Sequence, residues 1–203
     1  MSTLPNTPTV VSFGEDVLER MVQAVEKVRE RLRRSTAALE AAGIPYAVIG
    51  GNAVAAWVSK VDPGAARNTV DVDLMVNRAD LPAVTQALTG AGFVYHDLLD
   101  VAMFLDGPNG SPRDAVHLLF AGEKVKAHYA AAAPDLSNTE PDVAFRLLAL
   151  EPLVSMKLTS NRDKDRTHVR DLIEVGLIDQ SWPSRLQPEL AKRLQELLDN
   201  PDG

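Results

Sequence analysis

The stretch IPYAVIGGNAVAAWV, Ile44 to Val58, restricts the fold of this chain more than any other segment. Ile44 to Gly50 is a short apolar run with the character of a strand, and it passes without a linker into an Ala/Val/Trp segment suited to a helix lying close against a sheet. Gly50 and Gly51 occupy the junction, where a missing side chain lets the backbone turn sharply and brings main-chain N–H groups close to an anion. Helix and strand are thus interleaved, and the expected class is α/β.

Upstream, Ser12 and Glu15 stand at capping-box spacing ahead of a long helix from about Glu15 to Ala42. Its apolar positions Leu18, Met21, Val25, Val28, Leu32 and Leu39 recur by threes and fours, broken at Ser35. Such a stripe packs on a core or forms a homodimer seam. The run KVRERLRR reads as a solvated face, Gly43 as the stop, and Met1 to Val11 as a loose arm or short edge strand.

Downstream lies RNTVDVDLMV, Arg67 to Val76. Asp is depleted from strands, yet Asp71 and Asp73 interrupt a Val/Leu/Met run, and two residues apart on a strand they leave from one face. Like charges so placed repel unless a cation separates them. Mg²⁺ takes oxygen ligands and commonly links carboxylates to substrate phosphates. The pair therefore points to a divalent metal, Mg²⁺ or Mn²⁺.

The remaining pattern completes the plan. LPAVTQALTGAG is helical with Pro82 in its first turn, and DVAMFLD and AVHLLFAG are strands joined through the turn-rich GPNGSP. After Ala130–Ala133 the spacing becomes helical in LEPLVSMKLTSN, RTHVRDLIEVGLID and PELAKRLQELLD. The expectation is an α/β core with the long N-terminal helix over 1–126 and a helical lobe over 127–203. The sheet should be short, mixed and twisted, with four or five strands, and a cleft should separate it from the lobe.

Composition narrows the function. A formal net charge of −7 disfavours broad nucleic-acid binding, which relies on many Lys/Arg–phosphate contacts. The absence of cysteine removes disulfides, thiolate catalysis and Cys-based zinc sites. No apolar run reaches the ~20 residues of a membrane span, and the N-terminus has no basic segment followed by an apolar core. A soluble, cytoplasmic protein is the expectation.

The order of IGGNAVAAW, RNTVDVDLMV and the Lys-bearing LVSMKLTSNRDKDRTHVRDL resembles the nucleotidyltransferase fold of the DNA polymerase beta superfamily, with similarity to AbiE-type toxin nucleotidyltransferases. The resemblance spans Ile44 to about Asp179. It implies phosphate binding by Gly50, Gly51 and Asn52, metal ligation by Asp71 and Asp73, triphosphate contacts from Lys157 and Arg67, and support from Arg170 and Asp171. It further implies transfer of a nucleoside monophosphate from an NTP such as ATP to a hydroxyl acceptor on a protein, a tRNA or a small molecule, with a role in toxin–antitoxin systems.

One position departs from that pattern. Where the family places a third carboxylate, AVHLLFAG carries His117. An imidazole suits Mn²⁺ or Zn²⁺ better than Mg²⁺ and is also a general base, so His117 enters as a candidate catalytic residue. The same departure motivates an alternative, a catalytically inactive member of the fold that binds nucleotide or a partner protein. Asp114 is three residues away, on the other face of a regular strand. His96, His128 and His168 lack mutual metal-ligand spacing and read as structural or surface residues. Arg162, Lys164 and Arg166 read as a solvated turn, with an acceptor-RNA contact as the sharper option.

Overall fold

A computed structural model describes residues 14–98, 101–142 and 144–200. Ser12 and the Met1–Val11 arm lie outside the described residues, and the N-cap of the first helix is Gly14, without a side-chain cap, in place of the expected capping box. Helix α1 runs over Glu15–Ala41 and ends in Gly43, whose φ of +65° is the left-handed stop expected of a C-terminal glycine. Its apolar stripe is used only in part. Val28, Leu32 and Leu39 are buried, whereas Leu18 and Met21 are exposed.

The run KVRERLRR is likewise divided. Arg29 and Arg33 are solvated and pair with Glu26 and Glu30. Arg31 is buried, contrary to the expectation of a solvated face, and shares Asp106 with Arg34. Both guanidiniums thereby tie α1 to the turn at Asp106.

Strand β1 (Tyr46–Val48) leads into α2 (Gly50–Ser59), and a loop then reaches β2 (Val72–Val76). Next come α3 (Leu81–Gly90), β3 (Val94–Leu98), β4 (Val101–Leu105) and β5 (Val116–Phe120). Two short strands, β6 (Thr139–Pro141) and β7 (Arg146–Leu148), precede helices α4 (Leu150–Ser160), α5 (Asp163–Glu174) and α6 (Pro188–Asp199).

The described strands form one seven-stranded mixed sheet in the order β3-β4-β5-β2-β1-β7-β6. It is larger than the expected four or five strands, through β3 at one edge and the β6–β7 pair at the other. The pair comes from beyond residue 126, so the sheet also draws on the segment read as a helical lobe. At the centre, β2 runs antiparallel to β1 and parallel to β5. Val72, Leu74 and Val76 are fully buried on one face of β2, and Val116 and Leu118 continue that layer on β5. The other face carries Asp73 on β2, with His117 and Leu119 on β5. Helix α2 packs on β2 and also meets α4 and α5, which brings the C-terminal helices over the Gly50–Gly51 turn. No described helix is long and apolar enough to cross a membrane.

Candidate functional site

The strand-to-helix turn is built against the acid pair. Gly50 has φ of +67°, and a Cβ there would lie 2.0 Å from Asp73 Oδ2. Glycine is required twice over, once by the backbone and once by the neighbouring carboxylate. A Cβ on Gly51 would lie 2.9 Å from Thr69 Oγ1, so Gly50 presses on Asp73 and Gly51 on the loop that leads to Asp71. The Ile49 N–H donates to the Asp73 carbonyl at 3.0 Å. Asn52 Nδ2 donates to the Asp71 carbonyl at 2.8 Å. These two bonds fix the entry to β2 against the start of α2.

Asp71 sits at the bend one residue before β2, not within the strand, yet its carboxylate still converges with that of Asp73. One ligand atom each from Asp71, Asp73 and His117 lies within 4.8 Å of the others. His117 is the direct cross-strand partner of Asp73, and its Nδ1 stands 3.8 Å from Asp73 Oδ1. Asp114 ends a separate 3₁₀ turn, is exposed, and takes no part in this cluster.

The two carboxyls differ electrostatically. Burial would raise Asp71, but the Thr69 hydroxyl, donating to Oδ1 at 2.9 Å, and the Lys164 charge hold it below the usual carboxylate range. Burial and the neighbouring Asp71 charge push Asp73 up, with His117, Lys157 and Lys164 offsetting part of the rise.

A cavity of about 540 Å³ opens over this cluster. Gly50, Gly51, Asp71, Asp73, His117 and Lys157 all line it, joined by Thr69, Lys126, Tyr129, Lys164 and His168. Lys157 is buried, and its Nζ donates to Asp165 Oδ1 at 3.2 Å. Asp165 also accepts from Arg162 Nε at 2.7 Å and Ser160 Oγ at 2.6 Å. Burial opposes its ionisation, yet these donors hold its pKa down at about 2.

Four of the expected residues stand apart from the cavity lining. Asn52 acts on the backbone of Asp71, as described above. Arg67 donates to Asp171 Oδ1 at 2.8 Å with its own side chain largely exposed, and Asp171 is buried. Arg170 carries a buried Nε with no hydrogen-bond partner. Conversely, Arg162, Lys164, Asp165 and His168 line the cavity, although the sequence reads Arg162 and Lys164 as part of a solvated turn and His168 as a structural or surface residue. The missed signal was the position of SNRDKDRTH directly after the Lys157 helix, which makes it the start of α5 facing α2.

His168 gives this wall a pH dependence. Burial, with the Lys157 charge next, lowers its pKa to about 4, while Asp165 and Asp171 pull it up and Lys164 pushes it down. Its Nδ1 is buried without a partner. The unfolded chain takes up this proton near the ordinary value of 6.5, and the folded chain does not until about 4. Folding stability contributed here is therefore full above pH 6.5 and is lost as pH falls toward 4. The expected loss is about 2 kcal/mol, measured by urea unfolding at a series of pH values. Asp73, with its raised pKa, acts in the opposite sense, so the difference between wild type and His168→Gln isolates the histidine. Identical pH profiles for the two proteins would remove the assignment.

No protein-family model matches the chain, and no curated protein matches it. Among solved structures, an antigenic nucleotidyltransferase-like protein from Paracoccidioides brasiliensis aligns over 88% of this chain and 91% of its own, at 20% identity and a TM-score of 0.58. A protein from H. pylori assigned as a nucleotidyltransferase aligns over 89% of this chain and 78% of its own, at 15% identity and a TM-score of 0.50. Likeness at such identities bears on architecture, and with the mixed sheet and the glycine turn set against paired aspartates it identifies the fold: this chain has the nucleotidyltransferase fold.

Proposed function

We propose that the protein is a metal-dependent nucleotidyltransferase. The observation that carries this reading is the convergence of Asp71 and Asp73 beside the Gly50–Gly51 turn at the floor of a cavity. The donor set fits a divalent cation: two carboxylates meet, one of them is half-buried and held above its usual range, and Gly50 leaves no side chain between them and the turn. Asp71 and Asp73 would hold the ion, which when bound supplies charge neutralisation at the transferring phosphoryl group. Gly50 and Gly51 offer main-chain N–H groups to the phosphates at the start of α2. Lys157 and Lys164 add positive charge on the opposite wall.

In the proposed reaction an acceptor hydroxyl oxygen bonds to the α-phosphorus of an NTP. The bond from that phosphorus to the bridging oxygen breaks, pyrophosphate leaves, and the hydroxyl proton passes to water. The acceptor class remains as the resemblance gives it: a protein, a tRNA or a small molecule. The AbiE-type relation and a toxin role rest on the sequence motifs.

The test is incubation of the full chain with each α-labelled NTP, Mg²⁺ or Mn²⁺, and cell extract. Label should move to an extract component with release of pyrophosphate, and a chelator should stop it. Absence of transfer with every NTP and both ions overturns the proposal. His117 at the third-carboxylate position favours a second reading, a binding member of the fold without chemistry. Calorimetric binding of a non-hydrolysable NTP with no turnover would select that reading.

A further inference from the structure

We infer that His117 is a direct ligand of the Asp71–Asp73 centre and sets it for a nitrogen-accepting divalent transition ion, Mn²⁺ in preference to Mg²⁺. The inference builds on the metal-dependent reading above and names the ion class that reading leaves open. Three observations carry it. First, β2 and β5 are parallel neighbours with Asp73 opposite His117, so strand register, not a flexible loop, places the imidazole beside the carboxylates. Second, the imidazole offers a ligand atom within 4.8 Å of one oxygen from each aspartate, a spacing one ion can bridge. Third, neither ring nitrogen of His117 makes a hydrogen bond among the described residues, and its 3.8 Å approach to Asp73 is too long for one.

The surroundings leave the centre to an ion. Lys157, the nearest buried cation, is committed to Asp165. Thr69 occupies one oxygen of Asp71 and orients it, as partners of metal-binding carboxylates do. Mg²⁺ demands oxygen ligands and gives up its waters reluctantly, whereas Mn²⁺ and later transition ions accept imidazole. A donor set of two carboxylates and one nitrogen therefore discriminates where three carboxylates would not.

The experiment titrates the full, nucleotide-free chain with Mn²⁺ by electron paramagnetic resonance, then adds Mg²⁺ as competitor. Pulsed spectra of the bound ion read coupling to ¹⁴N. Wild type should bind Mn²⁺, show the nitrogen coupling, and release the ion only to a roughly tenfold or greater excess of Mg²⁺. His117→Asp should lose the coupling and narrow the Mn²⁺/Mg²⁺ preference by roughly tenfold. No bound Mn²⁺, binding without nitrogen coupling, or an unchanged preference in His117→Asp each overturns the inference. If that variant does not fold, the wild-type nitrogen signature decides alone. Mn²⁺ held through nitrogen in a protein that transfers no nucleotide would overturn the proposed reaction and leave this inference standing. Transfer supported by an ion without nitrogen coupling would do the reverse.

Discussion

Asp73→Asn is expected to lower nucleotidyl transfer on the order of 10³-fold, the several kcal/mol a phosphoryl-clamping ion contributes, while making the metal-free protein more stable. Both halves follow from one fact. Asp73 is an inward carboxylate whose burial and proximity to Asp71 disfavour its charge. A carboxyl whose folded pKa is raised contributes stability at low pH that is lost as pH rises through that value, so at neutral pH the folded chain carries an ion it would rather not have. Asparagine keeps the shape and removes the charge. The gain should be roughly 1 kcal/mol, of the size seen when a functional residue is exchanged for a stability-neutral one. Thermal melts in chelator and in Mn²⁺ check it. Wild type should be stabilised by the ion and Asp73→Asn should not. A variant that melts lower than wild type in chelator and retains transfer would show Asp73 to be an ordinary structural residue.

The same tension explains what the sequence made legible. An Asp-x-Asp inside a Val/Leu/Met run conflicts with local preference, and such conflicts mark functional positions. The glycine pair at a strand-to-helix junction is equally local, and so is the period-two alternation that puts His117 on the cavity face of β5. Each could be read within a ten-residue window. Strands β6 and β7 could not: three residues each, TEP and RLL, carry no period and exist by pairing with each other and with β1. β3 was missed because VYHDL alternates weakly at the sheet edge, where polar residues are tolerated.

Charged residues were the least legible, because their fate depends on partners far along the chain. The family resemblance implies a triphosphate contact for Arg67, but its guanidinium turns to Asp171, 104 positions away. Arg31 looks solvated within KVRERLRR, yet Asp106, 75 positions on, gives it a buried partner. Lys164 and His168 lie in a stretch with the composition of a surface turn. Only the packing of α5 on α2 makes them a wall of the cavity. Spacing reports which residues share a face, and it is silent on which faces meet.

The Lys157–Asp165 pair tests that wall most directly. Asp165→Asn is expected to cost about 3–5 kcal/mol, the range for stripping a buried charge of its partner. Lys157 would then remain buried beside Arg162 with no countercharge in reach except Asp73. Lys157→Met should cost less, about 2 kcal/mol, because Asp165 keeps its bonds from Arg162 and Ser160 and the methionine fills the vacated volume. The double variant Lys157→Met/Asp165→Asn should be more stable than Asp165→Asn alone, since removing both charges also removes the uncompensated one. Urea unfolding of the four proteins at pH 7 gives the ordering: wild type, then Lys157→Met, then the double variant, with Asp165→Asn least stable. The pH for this comparison lies well above the Asp165 value of about 2, so the carboxylate is ionised throughout. If Asp165→Asn and Lys157→Met cost the same, and the double variant equals their sum, the two side chains are energetically independent. Lys157 would then be free to swing toward a triphosphate without disturbing the lobe, and its present bond to Asp165 would have no part in holding α4 and α5 together.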